Sequence, residues 1–318
     1  MREPILKCAI IEYRRAVNNE QRVATIRWSL ILLGAIGAGL ILAFTIIGGS
    51  HIEFGSMGAG QDAFAYWRAV RIFPYSQDAG DLGAYLYSPA FIQVLNPVLI
   101  LRWPEFLTLW AGLLMITLLV LTGPVLFVFA LPVAFFEIWG GNIHLLLALA
   151  IVVGFRWPGA WAFTLLTKVT PGIGLLWFAA RREWPKLAIA LFTTAAIVGV
   201  SLIIAPNLWV AWIGLLVREA SGTASVGHIP IPLLYRLPFA AVLAVYAGKT
   251  DRKWLMPVVV LLAMPVLWWG SLSVLIGCVA IERERIEKIV LTTLATLPAA
   301  IHERVAGRGR PLVPEPEA

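Results

Sequence analysis

At 318 residues, with 60% apolar and only 14% charged side chains and a mean hydropathy of +0.84, the chain is too hydrophobic for a soluble domain. Several of its apolar runs approach the roughly 20 residues that cross a bilayer. The formal charge of +7 does not signal a nucleic-acid partner, because Lys and Arg gather at the ends of apolar runs and no basic patch is interleaved with stacking aromatics.

In chain order, residues 1–27 carry Arg2, Lys7, Arg14, Arg15, Arg22 and Arg27 and are expected in the cytoplasm. The first span, 28–47, then runs outward as a retained signal anchor, since no A-x-A cleavage pattern follows it. The polar stretch 48–87 becomes an outer loop. A second span, 88–101, is expected to return to Arg102, and a third, 105–121, to lead out to a tight turn at Gly123-Pro124. Two shorter runs, 125–138 and 143–155, are interrupted by Gly140-Gly141-Asn142, a break that is tolerated at membrane depth only when buried in protein or lining a cavity.

The run 158–180 leads in to Arg181-Arg182, 187–205 leads out, 206–229 forms a second outer loop, and 230–248 returns to Lys249. Residues 254–268 and 271–281 make a last short hairpin with Trp268 and Trp269 at its outer boundary. The expected fold class is therefore all-α, a polytopic transmembrane helical bundle of about ten spans over 28–281. Both termini are cytoplasmic and the location is the plasma membrane. After Glu282 the apolar residues from Ile286 to Ile301 have the spacing of an amphipathic helix on the inner surface, with a solvated helical tail as the plainer reading, and the Pro- and Gly-rich residues 307–318 are expected to be disordered.

The first outer loop concentrates the chemistry. Asp62 stands just beyond the first span and one helical turn before Tyr66, with Arg68, Arg71, Tyr75, Tyr85 and Tyr87 following. A carboxylate beside apolar rings can have its pKa raised toward the range a general base needs; the plainer role is an N-cap or a solvated acid. Lys168 sits near the middle of the 158–180 run with Pro171 three residues on. A lysine at that depth costs about 2.5–3.5 kcal/mol on insertion scales, so it faces a polar cavity or an anionic partner, or pairs structurally.

His228 and Arg236 stand at the start of the 230–248 span, and Asn142 and His144 flank the broken region, where they can also satisfy loose backbone groups. Cys8 and Cys278 are placed neither for a disulfide nor for a metal site. Phosphate-binding glycine loops, zinc motifs, D-x-D pairs and G-x-S-x-G are all lacking from the sequence, so no metal or cofactor is expected.

Taken together, Asp62-x-x-x-Tyr66, Pro74-Tyr75, Tyr85-x-Tyr87-Ser-Pro, Gly141-Asn-Ile-His144, Lys168-x-x-Pro171 and Arg-Arg-x-Trp184 resemble the bacterial polyprenyl-phosphate-mannose-dependent mannosyltransferases of the GT-C fold, over roughly residues 28–281. The chain departs from that pattern at Gly141-Asn142-Ile143-His144, where the family usually has Gly-Gln-x-Asn, and it is shorter than is usual there. The resemblance implies a GT-C-like bundle and a hexosyltransferase that inverts configuration, with Asp62 as catalytic base. It implies a polyprenyl-phosphate sugar donor, a lipid or glycan acceptor, and Lys168, His228 and Arg236 as cations for the donor phosphate. Tyr66, Arg68, Tyr75, Tyr85, Tyr87, Asn142 and His144 would then line the substrate site. Two other readings stay open: a transporter or flippase with a midplane site at Lys168 and 125–155, and a non-catalytic subunit of the same fold.

Overall fold

The computed structural model describes residues 3–52, 58–77, 81, 83–221 and 231–308, with side chains over 20–52, 58–77, 81, 83–218 and 231–297. Among these residues there are thirteen α-helices, four short 3-10 segments and no strand. Among the described residues three helical stretches are long and apolar enough to cross a membrane: Glu20–Gly49, Trp103–Gly140 and Trp184–Ile204.

The first helix, α1 (Glu3–Gly49), joins the basic N-terminal segment and the first apolar run in one rod. After it come the short α2 (Gln61–Arg68) and α3 (Pro89–Leu99). The expected span at 88–101 is corrected here: α3 has 11 residues, about 16 Å of rise, roughly half of a bilayer's hydrocarbon thickness. It does not carry the chain across. Arg102 and Trp103 emerge beside the start of the loop, where the Trp103 indole N–H donates to the carbonyl of Gly49 at 2.7 Å.

The next helix therefore runs opposite to the expected direction. α4 (Trp103–Gly140) has 38 residues, and a straight helix of that length would separate its ends by about 55 Å. Instead both ends meet Gly60, which lies against Trp103 and Leu107 and donates its N–H to the carbonyl of Trp139 at 2.6 Å. The fold-back is at Gly123, whose φ of 69° and ψ of 167° leave the helical region, followed by Pro124, which lacks the N–H that would continue the ladder. The two arms pack along α1, with Gly34 facing Phe127 and Gly37 facing Leu131. The turn rests against Arg283, close to the Arg27–Glu287 ion pair of 2.8 Å. The Gly123-Pro124 turn therefore lies at the basic end of the bundle, opposite Asp62, and not at the Asp62 end as its sequence position suggested.

From the end of α4 the chain turns into α5 (His144–Gly154), then a 3-10 turn at Pro158–Ala160 and α6 (Trp161–Thr167). The expected continuous run 158–180 is broken at Lys168, which adopts an extended conformation, and resumes as the 3-10 segment Thr170–Leu175 and α7 (Leu176–Ala180). α8 (Trp184–Ile204) is a full-length rod, and its exposed Ile189, Phe192, Val200 and Ile203 give it the outward apolar surface that hydrocarbon favours. α9 (Pro206–Ser221) buries Trp209 and Trp212; the Trp212 N–H donates to the carbonyl of Leu86 at 3.1 Å, closing this helix over the polar loop.

α10 (Leu233–Thr250) is followed by α11 (Met256–Leu262), the 3-10 segment Trp269–Leu275 and α12 (Ile276–Ile281). Ten spans are thus not found: beside the three long stretches, five apolar helical pieces of 10–17 residues stop short wherever Pro, Gly or a polar side chain interrupts them. Finally comes α13 (Arg283–Arg308). It pairs with α1 through Arg27–Glu287 and buries Leu291 and Ala295.

The turn that ends α4 permits only glycine. Gly141 has φ 75°, and an added Cβ would stand 2.7 Å from the Cβ of Ala63. Gly141→Ala is expected to lower stability by about 1–3 kcal/mol through strain and overlap, read as an earlier thermal unfolding transition in detergent. Gly39→Ala, where nothing lies within 4 Å, leaves that transition in place.

Candidate functional site

The fold-back of α4 determines which residues meet. Because its second arm returns to the Asp62 end, Gly140 and Gly141 press against α2, and Asn142 arrives beside Asp62. The Asn142 amide nitrogen donates to Asp62 Oδ2 at 2.8 Å. Its carbonyl oxygen accepts from the N–H of Ile143 at 2.8 Å and from the Tyr87 hydroxyl at 3.3 Å. Tyr87 in turn lies 3.2 Å from the hydroxyl of Tyr66. The absence of a side chain at Gly140 makes the approach possible, since a Cβ there would sit 3.3 Å from Asp62 Oδ2.

One helical turn earlier on α4, Glu137 is wholly buried and accepts hydrogen bonds from the N–H groups of His144 and Leu145 at the start of α5. Its second oxygen lies 2.8 Å from His144 Nδ1. The opposite ring nitrogen, Nε2, is 3.1 Å from Lys168 Nζ and 3.3 Å from Ser271 Oγ. Since an ammonium group only donates, a charged Lys168 requires a lone pair on Nε2 and places the imidazole proton on Nδ1, toward Glu137. Gly270 closes over Glu137, with room for no Cβ beyond 3.2 Å of its carboxylate.

The result is a line of polar groups through an apolar bundle. Glu137, His144 and Ser271 lie fully inside; Asp62, Asn142 and Lys168 keep partial exposure at its open end. Burial pushes the Asp62 carboxyl up to about 6. The Asn142 hydrogen bond and the Lys168 charge oppose that rise, and the Glu137 charge adds to it. The two carboxylates and the lysine therefore share one electrostatic neighbourhood. Among the described residues no group of three His, Cys, Asp or Glu is placed to hold a metal ion.

Of the residues singled out in the sequence, Asp62, Asn142, His144, Lys168 and Tyr87 come together. Tyr66, Tyr75 and Tyr85 are packed into the core with at most 3% exposure, the Tyr66 ring edge to face with Tyr85, Phe91 and Trp110 and the Tyr75 ring tilted against Tyr85. The Tyr75 hydroxyl donates to the carbonyl of Tyr87 and the Tyr85 hydroxyl to that of Ser88, so these tyrosines brace the loop from behind. Burial holds the phenols of Tyr66, Tyr85 and Tyr87 above their ordinary range.

Arg68 ends α2 on the same loop. Arg71 stacks 3.7 Å from the Trp67 ring and donates to the carbonyl of Leu99. Arg236, 6% exposed, donates to the carbonyls of Ile231, Leu262, Met264 and Pro265. It ties α10 to the end of α11 and is not part of the Asp62–Lys168 line. His228 lies outside the described residues. Glu137 and Ser271 were not singled out from sequence; the signal for Glu137 was an acid inside an apolar run of membrane length, Phe135-Phe136-Glu137-Ile138-Trp139.

No protein-family model, no curated protein and no solved structure matches the chain.

A carboxyl group raised to about 6 from an ordinary value of 3.8 binds its proton more tightly in the folded protein. Its contribution to stability is complete below pH 3.8 and is lost as pH rises through about 6. An infrared pH titration is expected to show a protonated-carboxyl band that disappears with a midpoint near 6 and is missing from Asp62→Asn.

Proposed function

We propose that the chain is an integral membrane glycosyltransferase, moving a hexose such as mannose from a polyprenyl-phosphate donor to a hydroxyl of a lipid or glycan acceptor. The observation that carries this reading is Asp62. It is a half-buried carboxylate with one oxygen held by Asn142, placed at the open end of the polar line and tuned to about 6. A base for an alcohol must be ionised at working pH yet retain proton affinity, and this value meets both demands.

In this reading the acceptor O–H gives its proton to Asp62 as its oxygen bonds to the anomeric carbon. The bond from that carbon to the phosphate oxygen breaks on the opposite face, its electron pair leaves with polyprenyl phosphate, and the configuration inverts. No other reactant is needed. By the charge bias of its ends, the chain sits in the plasma membrane with both termini in the cytoplasm and Asp62 facing outward.

A second reading, a carrier for an anionic or lipid-linked substrate, draws on the helix broken at Lys168 and the buried Glu137–His144 pair, because interrupted helices with ionisable groups at depth are a transporter device. Transfer of labelled sugar from a polyprenyl-phosphate donor, in membranes holding the wild type or Asp62→Asn, separates the two. The enzyme reading expects the rate to fall by about 10²–10⁴-fold in the variant, with a wild-type kcat/KM that climbs through pH 6 or so. Unchanged transfer in Asp62→Asn removes Asp62 as the base, and substrate flux without transfer favours the carrier.

A further inference from the structure

We infer that the open end formed by Asp62, Asn142 and Lys168 is a subsite for the hydroxyl groups of an uncharged polyol, and that Lys168 grips the acceptor and not the donor phosphate. This rests on the glycosyltransferase reading for the word acceptor, while the ligand class follows from the groups themselves.

The first ground is charge. Lys168 and His144 share one positive charge whichever nitrogen carries the proton, since their contact joins Nζ to Nε2. Facing it are two carboxylates, Glu137 at 2.8 Å from the same imidazole and Asp62, whose charge couples to that of Lys168. With Asp62 ionised the group as a whole is negative. A phosphate brought to Lys168 would face both carboxylates across a weakly screening interior, where like charges repel strongly.

The second ground is the hydrogen-bonding capacity left at the open end. Asp62 Oδ2 accepts from Asn142, which leaves Oδ1 as an acceptor. The Asn142 amide nitrogen donates one N–H to Asp62 and keeps the second. Lys168 Nζ has one bond, to His144, and keeps two donors. One acceptor oxygen and three donor N–H groups left on neighbouring side chains match hydroxyls, which donate and accept together, whereas a phosphate oxygen only accepts and meets the carboxylate unfavourably. Of the other two cations assigned to the phosphate, Arg236 is already committed to four carbonyls and His228 lies outside the described residues. Glu137 is then a positioning residue: it fixes the His144 ring, and the ring holds Lys168 at the opening.

The experiment is equilibrium binding of labelled methyl α-mannopyranoside to the full chain in nanodiscs, with inorganic phosphate as competitor, for wild type, Lys168→Met, Lys168→Arg and Asn142→Ala. Binding to the wild type is expected to be indifferent to equimolar phosphate and to weaken about tenfold in Lys168→Met and in Asn142→Ala, as loss of a hydrogen bond with a charged or buried partner predicts. Lys168→Arg, which keeps donors and charge, restores most of it. Displacement by phosphate, binding insensitive to both substitutions, or no binding to the wild type overturns the assignment.

In the transfer assay, Lys168→Met is expected to raise the acceptor KM and leave the donor KM unchanged. A raised donor KM contradicts this inference while leaving the transferase reading intact. Lys168-dependent pyranoside binding without any transfer does the reverse.

Discussion

A buried carboxylate in an apolar bundle must be surrounded by donors, because an uncompensated charge there costs several kcal/mol, and Glu137 meets that requirement in one way only. Its donors are the first N–H groups of α5 and the imidazole of His144, at a helix N-terminus whose dipole favours negative charge. This contact locks the end of α4 to the start of α5. It also sets the direction of the imidazole, and so the place where Lys168 can be held. The break in the 158–180 helix follows: Lys168 leaves helical geometry because its ammonium is drawn to His144, and Pro171, second in the next segment, lacks the N–H a continuous helix would use. Asp62 is the second consequence, since the four residues between Glu137 and Asn142 are a glycine-ended turn that delivers the Asn142 amide to the Asp62 carboxylate.

The fold-back of α4 at Gly123 is what makes such a site possible in a chain of this length. Two arms joined by one residue outside helical geometry cover α1 and return a polar turn to the end from which they started. The remaining long rod, α8, faces outward with its apolar side chains and holds the shorter pieces together from one flank. The short helices α5, α6, α11 and α12 reach only part of the depth that α8 spans, and their ends bring His144, Lys168 and Ser271 to one level. Partial helices leave unsatisfied backbone groups, and these are met from within: the four carbonyls around Arg236 and the Thr170 hydroxyl on the carbonyl of Ala263 at 2.6 Å close the breaks.

Much of the site was legible because polar residues in an apolar chain are conspicuous. Asp62, Asn142, His144 and Lys168 stand out against their neighbours, the first three near a helix end or a break and Lys168 in the middle of an apolar run. Their mutual contacts were not legible, since Asn142 is 80 residues from Asp62 and only the direction of the α4 arms brings them together. That direction turns on α3, an apolar run bounded by Pro89 and Arg102 that has the composition of a span and the length of half of one. Glu137 escaped notice because an acid near the end of an apolar run resembles a helix-end charge in water, and nothing local shows that α5 will fold over it. The tyrosines misled in the other direction: residues that suit a sugar-binding surface also suit a core, and burial decided for the core.

The account makes Glu137 and Lys168 one electrostatic unit joined through His144. A double-mutant cycle of Glu137→Gln and Lys168→Met, read by thermal unfolding of the protein in nanodiscs, tests this most directly. Glutamine retains one acceptor oxygen for the α5 N–H groups but, as it removes the charge, turns an amide donor toward the Nδ1–H of His144, so each single variant leaves a buried group poorly compensated, whereas in the double variant the imidazole can carry its proton on Nε2 and accept at Nδ1. The expected result is a coupling of about 1–3 kcal/mol, with the double variant less destabilised than the sum of the singles. Additive effects would contradict the link between them, and with it the way the site is held open beside Asp62.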